Sequence, residues 1–240
     1  MHRATGAVRN NGPMRRLLRI FSVALVTAGL VVLADAALTL AWKEPVSAVY
    51  GQLQQDQARD QLRDLEARFF DDEQIDEINA IGDPVRRANR LATRFSRKLK
   101  IGEGIGRIEI PSANIEYVIV EGTDTETLKK GPGRYPETFL PGQGNTIGIA
   151  GHRTTYGAPF RNIDKIADGD EITVEMPYAT FTYEVEKSRI VEPTDVEIVR
   201  SVGRERLVLT ACHPLYSAAQ RYAVFADLVD VTLLPGGNQA

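Results

Sequence analysis

The hydrophobic pattern of the chain changes after Gly102, and this change restricts the possible folds more than any other feature of the sequence. Beyond that point short runs rich in β-branched residues follow one another, separated by clusters of glycine and proline. Seven runs are visible, at residues 105–110, 115–120, 145–150, 171–176, 180–191, 206–212 and 221–229. Short helical patches fill gaps near 124–130, 160–166 and 194–199. Seven or more strands with few helices predict a mainly β domain, a barrel or a sandwich.

The N-terminal region predicts attachment to a membrane. Five arginines precede the first acidic residue, and residues 20–34 carry no charged side chain. As a helix, residues 17–42 would extend about 39 Å, more than the roughly 30 Å of bilayer hydrocarbon, so a tilted span is possible. Because basic residues stay on the cytoplasmic side, we expect a single-pass protein with residues 1–16 inside the cell and everything after Trp42 outside.

Asp35 leaves two interpretations of this segment open. A carboxylate near the middle of a span costs roughly 2.5–3.5 kcal/mol on an insertion scale, which a signal anchor tolerates. The triplet Ala34-Asp35-Ala36 also fits a site for signal peptidase, which would release the chain. Both interpretations export the domain to a compartment where thiols are normally oxidised, and Cys212 is the only cysteine. An unpaired thiol in that setting requires an explanation.

The composition excludes several classes of function. The chain has 240 residues, with 29 basic and 32 acidic side chains and a net charge of −3, so no nucleic-acid partner is expected. One cysteine and three histidines argue against an iron–sulfur cluster, a cysteine-rich zinc site or a multi-histidine metal centre. We expect neither a metal nor a cofactor.

The segment before the strands, residues 43–103, combines helical spacing with a separation of charge. Apolar residues recur every three or four positions on both sides of Pro84, which favours the start of a second helix. Residues 56–83 contain ten acids and three arginines, whereas residues 86–100 contain seven basic residues and no acid. Two alternatives are open: an antiparallel helical hairpin that forms a stalk, or a solvated and partly disordered linker.

Cys212 ends an apolar strand that stops at Pro214, because proline cannot donate to a β-ladder. A buried and inert thiol is the simplest interpretation of a lone cysteine. Export favours a second interpretation, in which the thiol is a nucleophile activated by a neighbouring base and a cation.

Two residues are candidate partners for this thiol. His152 follows an apolar strand that ends in glycine, so it lies where a strand meets a loop, as Cys212 does. His213 is adjacent in sequence, but successive side chains of a strand point to opposite faces. Arg221 opens the next strand, and a hairpin would return its positive charge to the thiol. Taken alone, His152 is equally well explained as a surface-loop histidine and Arg221 as an exposed edge-strand charge.

Three blocks of sequence, taken together, resemble the sortase family. The first runs from Gly131 to Arg153 (GPGRYP…PGQGNTIGIAGHR), the second is LTACHP at 209–214, and the third is Arg221. The segment HRTTYGAPF at 152–160 and the Cys-His-Pro triplet are most similar to class E, the housekeeping type of actinobacteria. The resemblance covers about residues 104–230.

The resemblance implies an eight-stranded β-barrel with short helices, which we place at residues 104–235, followed by a tail at 236–240. It implies that Cys212, His152 and Arg221 are catalytic. The implied enzyme is a membrane-anchored cysteine transpeptidase that uses no cofactor. It cuts a C-terminal sorting motif between Thr and Gly, Leu-Pro-x-Thr-Gly in most classes and Leu-Ala-x-Thr-Gly in class E. It then joins the threonine to an amine of a peptidoglycan precursor, or to a pilin lysine.

Two further positions bear on substrate recognition. Tyr156 matches the position that in class E is associated with the preference for alanine in the motif. Ala211 stands where the family commonly has a threonine before the nucleophile, a residue that typically lines the substrate groove. We expect both residues to contact substrate, and we expect the change at Ala211 to affect recognition more than catalysis.

Two other functions remain as alternatives. L,D-transpeptidases also use cysteine and histidine, but their nucleophile lies in a Ser-x-Gly-Cys setting that Leu-Thr-Ala-Cys212 does not match. A non-catalytic, membrane-tethered β-domain with a buried thiol belongs to a different class of protein. Alkylation distinguishes it, because such a thiol would react only after unfolding.

Overall fold

The structure, a computed structural model, describes residues 12–41, 45–70, 78 and 80–234 in two units. The first unit contains helix α1, Gly12–Ala41. Within it, Met14–Ala37 is long and apolar enough to cross a membrane, which agrees with the predicted apolar helix. The predicted boundary at Trp42, the basic residues before Gly12 and the tail at 236–240 lie outside the described residues.

The second unit is built around a closed barrel of eight strands, as the sequence resemblance implied. The strands are β1 Gly104–Ile110, β2 Ile115–Glu121, β3 Gly133–Arg134, β4 Thr146–Gly151, β5 Glu171–Met176, β6 Ala179–Val191, β7 Arg206–His213 and β8 Gln220–Leu233. Their order around the barrel is β1-β2-β3-β4-β7-β8-β6-β5. The seven apolar runs each form a strand. β3 has only two residues, too few to show any alternation, so the sequence pattern did not predict it.

The order of the strands brings the ends of β4 and β7 to one rim of the barrel. The two strands are parallel neighbours, with Ile149 beside Leu209 and Gly151 beside Ala211. β7 continues into β8 as an antiparallel hairpin. The residues that directly follow β4 therefore lie next to the end of β7 and the start of β8.

The two faces of these strands are buried against different layers. Ile147, Ile149, Leu207 and Leu209 point inward and are part of the main core of the barrel. On the outer face a second apolar cluster forms from Val191, Val208, Ala223 and Phe225. The 3-10 helix Val196–Val199 packs against it. Burial on both faces explains why β7 is an almost continuous apolar run.

Helices α2 (Pro45–Phe70) and α3 (Pro84–Ser96) pack on the barrel. Asp83 caps α3 by accepting a hydrogen bond of 2.8 Å from the backbone N–H of Arg86. The ring of Phe69 meets that of Phe95 edge to face, 5.3 Å apart, within the barrel's core cluster. Helices are thus present in the segment for which a helical stalk and a disordered linker were both open, and their apolar stripes are buried against the barrel. Five of the ten acids that motivated the pairing by charge lie at 71–77, outside the described residues.

A short helix, α4 (Thr125–Leu128), follows β2 and begins at Asp124, whose carboxylate accepts hydrogen bonds from the backbone of Glu126 and Thr127. Two further 3-10 turns connect strands: Ile163–Lys165 lies within the helical patch predicted near 160–166, whereas Pro111–Ala113 was not predicted.

Candidate active site

Cys212 and Arg221 lie directly opposite each other on the β7–β8 hairpin. Side chains of directly opposed residues share one face of a sheet, with Cβ atoms about 4.5–5.5 Å apart. This face is the outer one, since Val208 and Ala223 of the same strands belong to the outer cluster. The thiol is partly exposed and unpaired. The register therefore sets a partly exposed cysteine and an arginine side by side on one face of the hairpin.

His152 is the first residue after β4, one step beyond the pair formed by Gly151 and Ala211. Neighbouring strands are about 4.8 Å apart, so the backbone of His152 leaves β4 near the backbone of Cys212 at the rim. Two contacts fix the turn. The ring of Phe160 occupies the space beside Gly151, where a Cβ would lie only 2.5 Å from Phe160 Cδ2. The backbone N–H of Phe160 donates to the His152 carbonyl over 3.0 Å.

The imidazole of His152 is half-buried beneath the ring of Tyr156, with ring centroids 5.3 Å apart. Burial lowers the pKa of His152 below its ordinary value, because the charged form loses solvation. The neutral imidazole is therefore the dominant form at neutral pH when no other charge acts on it. A neutral imidazole can accept a proton, and a negative sulfur beside it would favour the protonated form.

Arg221 is held by the loop between β7 and β8. Its Nη1 donates to the carbonyls of Ala218, over 2.9 Å, and of Gln220, over 3.0 Å. Among the residues that the structure describes, both of its hydrogen bonds use Nη1. The N–H groups on Nε and Nη2 have no hydrogen-bond partner among the described residues, so they can donate to a bound carbonyl or oxyanion.

Ala211 does not lie where we expected it. It is 3% exposed and belongs to the core cluster inside the barrel, on the face of β7 opposite to Cys212. The reason is the two-residue period of a strand, which turns the residue before the outward-facing Cys212 inward. We therefore correct the expectation that Ala211 lines a substrate groove.

Arg153 is a residue of the site that the sequence reasoning missed. It is 4% exposed and forms an ion pair of 2.5 Å with Asp164. Its Nη1 lies 3.2 Å from His213 Nδ1 and 3.5 Å from the Cys212 carbonyl oxygen. His213 thus faces away from the thiol, as the parity of the strand predicted, and binds Arg153. Arg153 directly follows His152, so these contacts link the loop after β4 to the end of the strand that carries Cys212.

Replacing Arg153 by glutamine is expected to lower the free energy of unfolding by about 1–3 kcal/mol, because Asp164 and His213 lose a buried partner. The value of kcat/KM falls as well, since the ends of β4 and β7 lose a connection. Urea unfolding and peptide turnover measure the two effects. Arg59→Gln is the control, because Arg59 forms only an exposed pair with Asp56 and should change stability by less than about 0.5 kcal/mol. Equal stability of the two variants would contradict the role of Arg153.

A closed barrel that presents cysteine, histidine and arginine at one rim has the parts of a cysteine enzyme for acyl transfer. The family model described as Sortase domain matches residues 108–229. The chain belongs to the sortase family, whose members are cysteine transpeptidases. This membership favours the enzyme over the non-catalytic domain and over the L,D-transpeptidase considered above.

Individual relatives carry different class names, among them sortase D, sortase E and sortase A. The chain is 36% identical over 145 residues to sortase D of Bacillus subtilis, covering 59% of this chain and 72% of the relative. It is 30% identical over 145 residues to sortase SrtE1 of Streptomyces coelicolor, covering 54% of this chain and 41% of that protein. The solved structure of sortase E from Streptomyces avermitilis is similar with a TM-score of 0.52 at 33% identity, over 58% of this chain and 97% of that structure.

Proposed function

We propose that the protein is a transpeptidase in which Cys212 is the nucleophile, His152 the general acid and base, and Arg221 the donor to the oxyanion. The observation that supports this most is the strand register, which sets Arg221 opposite Cys212 and His152 one residue past the strand beside it. Each of the three residues alone can be explained by a structural role. Packing gives no reason for all three, which come from separate parts of the sequence, to lie at the same rim.

In the first half-reaction the thiolate of Cys212 attacks the carbonyl carbon of the scissile peptide bond. The oxygen becomes negative and accepts hydrogen bonds from Arg221, a type of contact worth about 3–4 kcal/mol in the transition state. The C–N bond then breaks, and His152 in its imidazolium form protonates the departing amine. The product is a thioester on Cys212, with His152 left neutral.

In the second half-reaction an amine displaces the sulfur. Neutral His152 removes a proton from the incoming amine, which attacks the thioester carbonyl and releases the thiolate. The lowered pKa of His152 suits this step, because the base form is already favoured by burial. Water competes for the thioester, so productive transfer requires that the amine be bound. Ping-pong kinetics follow from the covalent intermediate.

For the substrate we propose a C-terminal sorting motif of the Leu-Ala-x-Thr-Gly or Leu-Pro-x-Thr-Gly type, cut between Thr and Gly. Tyr156 supports the first motif, because it matches the class E position associated with the preference for alanine and its ring lies 5.3 Å from that of His152. Relatives named sortase D and sortase E are both similar to this chain, so class E rests on the residues at 152–160. For the acceptor we propose an amine of a peptidoglycan precursor or a pilin lysine.

We propose further that α1 anchors the protein in the membrane as a single span. The arginines that precede residue 20 then stay in the cytoplasm, and the catalytic domain lies outside the cell. Support comes from the length and apolar composition of Met14–Ala37.

Peptide turnover tests the proposal. The full chain in detergent micelles is mixed with matched peptides that contain Leu-Ala-x-Thr-Gly or Leu-Pro-x-Thr-Gly, and with a glycine-based or lysine-based amine. Product masses show both the bond cut and the amine used. We expect cleavage after threonine and transfer to the amine. Cleavage elsewhere, or no reaction with either peptide, would contradict the proposed substrate.

The acid limb of the pH profile is expected to have its midpoint below about 6.5, the ordinary pKa of histidine. As the pH falls through the lowered pKa of His152, imidazole and thiol are both protonated and the nucleophile is lost. Tyr156→Ala exposes the imidazole to water and should move the midpoint upward, toward the ordinary value. Measuring kcat/KM from pH 4 to pH 9 checks both. A midpoint above the ordinary value in the unmodified chain would contradict the burial of His152.

A further inference from the structure

The first turns of α2 contact the loop that follows His152. Gly51 of this helix is buried against the backbone of Tyr156 and Gly157. A Cβ at Gly51 would lie 2.7 Å from the carbonyl carbon and oxygen of Tyr156 and 2.9 Å from the Gly157 nitrogen. The neighbouring ring of Tyr50 meets the ring of Tyr156 edge to face at 6.1 Å. At Gly51 the helix lies so close to this loop that only a residue without a side chain fits between them.

Tyr156 has a backbone conformation that needs such support. Its φ is +51°, in the left-handed region that a tyrosine adopts only at a cost. Residues in strained conformations persist when their surroundings hold them from several sides. Besides α2, the ammonium of Lys129 lies 5.8 Å from the centre of the Tyr156 ring. The hydroxyl of Tyr117 donates to the Gly157 carbonyl over 3.1 Å.

The helix that supplies this support is itself fixed to the barrel. The side-chain amide of Gln55, 7% exposed, accepts from the Val118 N–H over 2.7 Å and donates to the Val118 carbonyl over 3.1 Å. It also donates to the Lys130 carbonyl over 2.6 Å. One turn later Ala58 and Leu62 pack against β2 in a separate buried cluster. These contacts fix α2 rigidly to the barrel.

Tyr156 in turn contacts His152, since the centroids of their two rings are 5.3 Å apart. We infer that α2 is a working part of the active site: Tyr50 and Gly51 hold Tyr156 in its left-handed conformation and thereby position the imidazole of His152. They are positioning residues, since neither is placed to touch the reacting atoms. The inference rests on the proposed function in assigning proton transfer to His152. α2 lies outside the 108–229 segment that defines the family, so the barrel segment alone lacks this support.

The decisive variant is Gly51→Ala in the full chain. Alanine favours a helix over glycine, so the substitution strengthens α2 as a helix and at the same time forces it away from the loop. Gly82→Ala is the matched control, because a Cβ at Gly82 meets no atom within 4 Å. We expect Gly51→Ala to lower kcat by about 10- to 100-fold, the effect of a small misplacement of a catalytic group, and Gly82→Ala to leave it unchanged.

A second readout follows the imidazole itself. The chain has three histidines, so NMR of histidine-labelled protein in micelles gives few signals, and His152→Gln assigns one of them. Gly51→Ala should shift the ring signal of His152, while the signal of His213 stays in place. Purely structural damage would instead broaden or move both. This spectrum requires no turnover, so it reports on α2 even if the unmodified chain fails to transfer acyl groups, which would overturn only the proposed function.

Tyr50 provides an independent pair of variants if Gly51→Ala does not fold. Tyr50→Phe keeps the ring against Tyr156 and should retain both activity and the His152 signal. Tyr50→Ala removes the ring and should lower kcat in the same direction as Gly51→Ala. The inference is overturned if the His152 signal and kcat are unchanged in Gly51→Ala or Tyr50→Ala, or if kcat falls while the His152 signal stays at its original position.

Discussion

Replacing Cys212 by alanine is expected to abolish transpeptidation and hydrolysis together, lowering kcat by at least about 10⁴-fold. Removing the nucleophile from a set of cooperating catalytic residues removes nearly all of the rate acceleration, although the substrate still binds. Product formation from a sorting-motif peptide, followed by chromatography, measures the loss. Binding of the peptide to the variant should persist, because the substitution removes only one sulfur atom from the side chain.

His213→Ala is the matched control for this experiment. His213 is adjacent to Cys212 but faces the other side of the strand, where it binds Arg153. We expect it to retain activity within about tenfold of the unmodified chain, since it lies outside the path of proton transfer. If His213→Ala were as inactive as Cys212→Ala, the assignment of faces on β7 would be wrong.

His152→Ala is expected to lower kcat/KM by about 10²- to 10⁴-fold, the range found for loss of a general acid or base. The thiol is still present in this variant, but the departing amine of a peptide is not protonated as the C–N bond breaks. Kinetics with a peptide substrate at pH 7, with circular dichroism to verify folding, measure the effect.

The leaving group distinguishes this role from a structural one. A thioester or activated-ester version of the same motif releases a group that needs no proton, so it bypasses the acid step. His152→Ala should lose much less activity with such a substrate than with the peptide. An equal loss with both substrates would show that His152 acts in some way other than proton donation.

The apolar pattern of the sequence predicted seven of the eight strands, because a strand with one or two buried faces shows its burial in its sequence. That these strands close into a barrel rather than form a sandwich was implied only by the family resemblance. The apolar pattern did not predict β3, which is held by pairing to β2 and β4 and has no pattern of its own. The packing of α2 and α3 was also missed. Their apolar stripes showed that one face is buried, but periodicity does not say against what.

Within the site, the sequence placed Cys212 and Arg221 because a hairpin joins them, and it separated His213 by strand parity. The same parity, applied one residue earlier, would have turned Ala211 inward, but the family pattern suggested a groove position. Arg153 carried no signal of burial, since its partner Asp164 lies on a 3-10 turn that only the folded chain brings near. A buried arginine beside a candidate catalytic histidine becomes visible only in three dimensions.

The measurement that tests the central claim most directly is the mass of the acyl-enzyme. The full chain is mixed with a sorting-motif peptide without an amine, quenched in acid, digested and analysed by mass spectrometry. The account predicts that the peptide up to its threonine is attached to Cys212, and that an added amine removes it as the transfer product. An acyl group on any other residue, or transfer product formed equally by Cys212→Ala, would contradict it.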